Sequence, residues 1–379
     1  MSLFAFAIRI AAVTSIVSCS SRLPVSTHAA AAPPRAYKDL RFTEFFRRTN
    51  GWVAGDGALS VPLSDGRVLW LFGDSHVDDY DAATGTLPCL FQVRNAGLLH
   101  PANHLEHVKT RTLKGDRPIF RSLFKNHAGD DSWFWPAAGI EIDPFVYIYL
   151  NELRKTTTPG MWGFESTGQD FWGKMKFPEM TVIAYVPLPD FHGIDFGRGF
   201  VRDQRSGHTY AFGNKRDGME STVYVARFRS TKPEEVWQFW NGTDWNRDAA
   251  RAAIIARGTS TSVHVCKVKN KYVLTTSEFS VGCDQGTKIF CATSDSPTGP
   301  FTTRTPVFQI DDAVNGHLPF FYLPIAHPEF INDRNELLLT YSINGYEPCV
   351  PACKKGRMPP DHYRPRAVRV PLKLIHPDL

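Results

Sequence analysis

Two aspartates, Asp56 and Asp74, carry the most readable chemistry in this chain of 379 residues. Asp56 stands in Gly55-Asp56-Gly57 and Asp74 in Gly73-Asp74-Ser75. Between them, Val61-Pro62-Leu63 leads into Ser64-Asp65-Gly66, and the apolar run Val68 to Phe72 leaves it, so the segment reads as strand, tight turn, strand. With the turn near residue 65, positions 56 and 74 fall almost opposite each other at one end of a sheet. Like charges at short range repel and raise one pKa, so such a pair is costly unless it acts on something. Paired carboxyls suit cleavage of a glycosidic bond: one protonates the leaving oxygen and the other activates water or attacks carbon. They also suit a bound cation. The ordinary alternative is that each aspartate only caps a turn or a strand end.

Other side chains join this pair as candidates. Glu329, in His327-Pro328-Glu329, is a third candidate catalytic carboxyl. Glu278 follows the apolar strand Val273 to Thr276, where an acid at an inner strand end points to a central axis. Candidate substrate-binding residues are Trp52, His76, Arg94, Trp135, His264, Glu278 and His327, with Trp133, Tyr346 and Arg198 near them in the pattern. Aromatic faces stack on sugar rings, although β-rich cores use the same residues. Glu141 alternates with Ile140 and Ile142 and reads as a solvated strand face. No phosphate loop, HExxH motif or zinc spacing occurs, so no metal and no cofactor is called for. Asp78-Asp79 and Asp311-Asp312 read as solvated acids rather than a Ca²⁺ site.

The elements that must position these residues are mostly strands. Short apolar runs cut by turns recur: Val146 to Leu150, Met180 to Val186, Phe196 to Val201, His208 to Phe212, Thr222 to Phe228, Ser260 to Val268, Lys271 to Ser277, Thr287 to Thr293, His327 to Ile331, Glu336 to Ser342 and Ala367 to Leu372. The single helix candidate is Trp245 to Arg257, which has alanines at 249, 252, 253 and 256 and no Pro or Gly. The runs group into five units, about 41–100, 130–190, 192–245, 258–310 and 318–372. That repetition predicts an all-β fold, a five-bladed β-propeller over 41–379 that closes on itself as one domain. A β-sandwich is the rival arrangement.

A hydrophobic content of 42% excludes disorder for the bulk of the chain, and a net charge of +5 with scattered Lys and Arg excludes a nucleic-acid-binding surface. Residues 1–19 read as an export signal. The apolar stretch Ile10 to Val17 is too short for a convincing membrane span, and Ile16-Val17-Ser18-Cys19 matches a bacterial lipobox that would lipidate Cys19. An ordinary secretory signal cut near Ala29 to Ala32 is the alternative. Either makes the protein exported, to the cell envelope or beyond, with the membrane reached only through a lipid anchor and residues 20–40 as a tether. Six further cysteines suit disulfides in that compartment. Cys349 and Cys353 could close a small loop, and Cys266, Cys283 and Cys291 lie near one another in the pattern.

The pattern Trp-x-x-Gly-Asp-Gly-Ala-x-Ser-x-Pro-Leu…Gly-Arg-x-Leu-Trp-Leu-Phe-Gly-Asp-Ser over 52–75 resembles the N-terminal signature of an uncharacterised-domain family of exported bacterial proteins that includes endo-D-arabinanases. It is similar, more distantly, to five-bladed propeller arabinanases, invertases and levansucrases. Weaker echoes are Phe134-Trp135-Pro136, Ser294 to Phe301 and Ala326-His327-Pro328-Glu329-Phe330. The resemblance implies a glycoside hydrolase acting on a furanose-containing, arabinan-like polysaccharide, with Asp56 and Asp74 as its catalytic carboxylates, and places Glu329 in the last blade near the pocket mouth; we take Asp56 as the acid and Asp74 as the base. The chain departs from the pattern at Ala137-Ala138, where relatives tend to carry Gly-Asp. The expected partner is a polysaccharide and the expected state a monomer. The alternative function is a propeller that binds glycan, or serves the cell envelope, without cutting.

Overall fold

The protein is described here by a computed structural model covering residues 34–91, 93–101, 104–115, 121–125, 131–156, 163–345 and 353–379. Strand β1 (Tyr37–Lys38) and helix α1 (Leu40–Phe45) lead into the first blade, formed by β2 (Trp52–Pro62), β3 (Arg67–Val77), β5 (Ala96–Pro101) and β6 (Arg111–Leu113), with β4 (Leu87–Pro88) outside it. The second blade is β7 (Ser132–Ile142), β8 (Phe145–Lys155), β9 (Phe164–Lys176) and β10 (Thr181–Pro187). The third is β11 (Phe200–Asp203), β12 (His208–Asp217), β13 (Glu220–Arg229), β14 (Gln238–Trp240), β15 (Trp245–Asn246) and β16 (Ala256–Gly258). The fourth is β17 (Val263–Val268), β18 (Lys271–Ser277), β19 (Lys288–Ser294) and β20 (Thr305–Gln309). The fifth is β21 (Phe320–His327), β22 (Glu336–Asn344) and β24 (Arg366–Pro371), while β23 (Arg357–Met358) pairs with β4. The innermost strands β2, β7, β11, β17 and β21 touch in turn and β21 closes on β2, which makes a five-bladed propeller.

Two-sided burial explains the continuous apolar strands. In Val68 to Phe72, side chains alternate between faces. Val68, Trp70 and Phe72 pack toward the fifth blade with Phe42, Phe45, Phe330 and Leu338, whereas Leu69 and Leu71 pack toward the second with Phe134, Val146 and Ile148. Similar clusters fill the other three blade junctions. The ring is fastened by β1, which takes the outer edge of the fifth blade through Tyr37↔Arg369 and Lys38↔Val368. Residues 37 and 38, assigned to the tether by sequence, therefore belong to the propeller.

Several expectations change. The segment from Trp245 to Arg257 is not a helix. Asp248 caps only a single 3₁₀ turn, Ala249–Arg251, and the Ala253 amide bonds to Trp240 O, so the sheet edge takes the backbone group that a helix would have used. The strand expected at 327–331 lies earlier, as β21, because Pro328 lacks an N–H and starts a 3₁₀ turn. Regular pairing of β11 begins only at Phe200, although Arg198 N bonds to Phe212 O at 3.0 Å and Phe212 N to Gly199 O at 2.9 Å; Gly199 has φ +144° and passes so near Val265 O that a Cβ would lie 1.9 Å from it. Cys353 bonds to Cys89, across 264 residues, and not to Cys349, which lies outside the described residues. Cys283 is also in a disulfide, whereas Cys266 and Cys291 are free thiols buried in the junction of the fourth and fifth blades. Cys19 and the leader lie outside the described residues as well.

Candidate active site

Asp56 and Asp74 converge at the end of the first blade. Strands β2 and β3 pair Gly55 with Ser75 and Gly57 with Phe72, and the ladder slips between these pairs. Such a bulge re-aims a side chain, and here it turns Asp56 toward the backbone of Gly73. A Cβ on Gly73 would lie 2.5 Å from Asp56 Oδ1, so glycine is needed there for close approach. Gly57 at φ +86° and Ala58 at φ 124° hold the irregular backbone. The glycines flanking the two aspartates are thus part of the site's construction.

The partners of the two acids differ. Tyr322, on β21, donates to Asp56 Oδ2 at 3.1 Å, and Tyr363 also bonds to this carboxylate. Asp74 Oδ1 accepts from Arg94 Nη1 at 3.2 Å and from Trp135 Nε1 at 3.2 Å. Arg94 is held over Trp133, 4.0 Å from the ring centroid. Burial raises both carboxyls, Asp56 to about 7 and Asp74 to about 6. The charge of Asp74 lifts Asp56 further, whereas Arg94 and Trp135 restrain Asp74. The pair therefore favours a proton on Asp56 and a charge on Asp74 near neutral pH.

The remaining candidates divide. Arg94 and Trp135 join the pair, and both keep some exposure. Trp52 does not: it is fully buried, stacked at 4.1 Å on Phe72, with its indole donating to Ser75 Oγ. His76 is fully buried beneath the site, bonded to Asp79 through Nδ1 and enclosed by Phe91 and Tyr363, so no ligand reaches it. His264 sits deeper along the inner strands. Its Nδ1 accepts from the Ala326 amide at 3.3 Å, and burial, with Arg198 nearby, lowers its pKa to about 4 and keeps it neutral.

Glu329 and His327 form a separate group. His327 is fully buried and bridges Ser60 Oγ through Nδ1 at 2.6 Å and Thr340 Oγ1 through Nε2 at 2.8 Å, a satisfied core histidine. Glu329 accepts from the same Ser60 hydroxyl, and burial lifts its carboxyl to about 7. Ser60 lies four residues further along β2 than Asp56, about 13 Å on at the rise of an extended strand. The structure therefore does not bring Glu329 to the aspartate pair. Glu278 is also elsewhere: Oε2 accepts from the Thr287 and Lys288 amides at 2.6 and 3.1 Å and fastens its own loop. Tyr346 lies outside the described residues.

Sequence reasoning missed a second acidic group. Asp170 on β9 accepts from Tyr149 Oη at 2.5 Å and Asn151 Nδ2 at 3.1 Å. Burial, then the charge of Asp195, raises it to about 7. Asp195 pairs with Arg198, whose Nε donates to Asn214 at 2.7 Å. Trp135, Asn151 and Asp170 are direct neighbours across β7, β8 and β9, which puts this group in the same row as the indole that touches Asp74. A signal existed: Asp195, between Gly193 and Gly197 just ahead of an inner strand, repeats the setting of Asp56. Ala137 and Ala138 are buried, and Ala138 N bonds to Gly197 O at 3.0 Å. Small side chains are required there because the third blade approaches so closely. Among the described residues, no group of three or more His, Cys, Asp or Glu side chains could hold a metal ion. Asp78, Asp79, Asp311 and Asp312 have protein partners, chiefly Lys114, His76 and Lys38.

Fold and site together define a five-bladed propeller with a buried acid pair on the innermost strand of its first blade. The chain belongs to the family described as a domain of unknown function, DUF5005, which matches residues 39–372. No curated protein matches the sequence. Among solved structures, a Bacteroides ovatus ATCC 8483 protein provisionally named a hydrolase is similar with a TM-score of 0.71 at 17% identity, over 90% of this chain and 92% of that one. An α-L-arabinofuranosidase from Clostridium thermocellum ATCC 27405 gives 0.45 at 12% identity, over 82% and 88%. An α-L-arabinofuranosidase from Podospora anserina, in complex with cellotriose, gives 0.46 at 11% identity, over 85% and 91%. The first of these likenesses establishes the shared fold.

Proposed function

We propose that this protein is an exported glycoside hydrolase that cuts a furanose-containing, arabinan-like polysaccharide within the chain. The observation that carries this reading is the buried Asp56–Asp74 pair, with its unequal partners. Asp56, protonated near neutral pH, gives its proton to the glycosidic oxygen as that bond breaks. Asp74, charged and oriented by Arg94 and Trp135, takes a proton from an attacking water or attacks the anomeric carbon itself. Trp135 offers a partly exposed ring beside Asp74 for sugar stacking. The furanose assignment rests on the signature at 52–75, and the hydrolase assignment also accords with the name given to the Bacteroides ovatus protein. The Cys89–Cys353 disulfide supports an oxidising compartment, and with it the reading of residues 1–19 as an export signal and Cys19 as a lipid anchor.

The test is a screen of the purified protein on arabinans, fructans and mycobacterial arabinogalactan, beside Asp56→Asn and Asp74→Asn. The expected outcome is new reducing ends from an arabinan with wild type, and at least about a thousandfold loss in both variants with polysaccharide binding kept. Binding without turnover in wild type would instead identify a glycan-binding propeller.

A further inference from the structure

A second cavity, of about 490 Å³, lies between the third and fourth blades. It is lined by Arg205, Tyr210, Lys267, Lys269, Asn270 and Tyr272 together with acids considered below. Its place follows from the direction of the inner strands. Tyr322, early on β21, reaches Asp56, whereas His327 at the end of that strand reaches Ser60, so β2 and β21 run the same way. Ser262 bonds to Leu323 and His264 to Ala326, so β17 runs with them. Lys267 to Asn270, at the far end of β17, therefore sit on the face of the propeller opposite the aspartate pair.

Three features make this cavity a site for a ligand. Tyr210 and Tyr272 are 8% and 4% exposed, yet neither hydroxyl has a hydrogen-bond partner among the described residues. Their rings meet edge to face at 6.4 Å, so the two unpartnered hydroxyls belong to one wall. Neither hydroxyl is sealed from solvent, so both are open to a polar ligand that enters the cavity. Arg205 and Lys267 have no close ion pair among the described residues; Lys267 rests over the Tyr272 ring at 5.4 Å and acts on the charge of Asp203 from a distance. The nearby acids are engaged: Asp203 accepts from the Arg205 amide at 3.1 Å within its own turn, and Asp295 pairs with Lys271 at 2.9 Å. Lys269 bonds to Leu379 O at 2.5 Å. Beside the cavity, Tyr210 abuts Trp245 at 5.9 Å, and Trp245 carries Arg227 at 4.5 Å, which extends the wall with an aromatic and basic strip.

We infer that this cavity binds an anionic sugar, its carboxylate or phosphate held by Arg205 and Lys267 and its hydroxyls by Tyr210, Tyr272 and Asn270. The site is independent of the hydrolase reading and would serve to hold an acidic glycan on the far face.

Calorimetric titration of the full chain tests this, with a glucuronate-containing oligosaccharide, glucose 6-phosphate and a neutral arabinan oligosaccharide as probes. The expected result is saturable binding of at least one anionic probe, the stronger of the two naming carboxylate or phosphate as the source, and none of the neutral one. Lys267→Gln and Arg205→Gln should each weaken it about tenfold, and Tyr272→Phe, which keeps the ring, severalfold. Absence of anionic binding, equal binding of the neutral probe, or binding untouched by all three substitutions would overturn the assignment.

Discussion

The two aspartates are chemically distinct although their sequence settings look alike. Asp74 has Arg94 and an indole N–H to stabilise its charge, whereas Asp56 has two phenols and a charged neighbour. That difference predicts a stability effect of known sign. The folded pKa of Asp56 is raised to about 7, so the folded state holds this proton more tightly than the unfolded chain does. Its contribution is most favourable below the unfolded value near 4 and is lost as pH rises through about 7. Asp56→Asn removes the charge, so the variant should be more stable than wild type at pH 8, by about 1–2 kcal/mol, and not at pH 4. Denaturant unfolding at both values checks this; a variant less stable at pH 8 would contradict the protonation assigned to Asp56. At this scale the convergence of Asp56, Asp74, Arg94 and Trp135 was legible in the sequence, because glycine-flanked acids and aromatics at strand ends are local signals. Trp52 and His76 misled for the same reason: burial between packed blades is not local, and their types suit a core as well as a sugar.

Single glycines and one short strand decide how the elements hold the pair. Gly73→Ala places a methyl 2.5 Å from Asp56 Oδ1, and the carboxylate must move. Turnover should fall at least about tenfold, since misplacement of a reacting group by about 1 Å has effects of that order or larger. Circular dichroism should report an intact fold, while unchanged kinetics would show that the bulge does not aim Asp56. The closing elements predict a different loss. Removing residues 1–45 strips β1 from the fifth blade and takes Phe42 and Phe45 from the cluster around Trp70. Losing two buried phenylalanines alone costs on the order of 6 kcal/mol, so this truncated chain should unfold far earlier in urea than one starting at residue 34. The strands themselves were readable from their apolar runs, and β18 falls where the pattern put it. The alanine-rich segment after Trp245 was not, because propensity yields to a neighbouring sheet edge. The close approach of Gly199 to Val265 was equally hidden: only assembled blades reveal which glycine meets which carbonyl.

Propeller closure joins distant parts of the chain. The Cys89–Cys353 bond ties a loop of the first blade to the connection within the fifth, 264 residues later, near the β4–β23 pair. Cys89→Ser should lower stability by about 2–5 kcal/mol, read as an earlier thermal transition of the oxidised variant than of oxidised wild type. Equal melting of the two oxidised proteins would show that β1 and the blade junctions alone close the ring. Five repeated units were visible in the sequence. The disulfide partner was not, since it depends on which loops become neighbours, and of the second acidic group only Asp195, flanked by Gly193 and Gly197, left a local signal.

The claim on which the account turns is that Asp56 and Asp74 form one acid–base pair working on a glycosidic bond. The pH dependence of kcat/KM on an arabinan oligosaccharide tests it most directly. The expected profile is a bell with limbs near pH 6 and 7, set by the charge on Asp74 and the proton on Asp56, with near-complete loss of activity in each asparagine variant. A rate that stays flat from pH 5 to 8, or an asparagine variant with wild-type turnover, would contradict it.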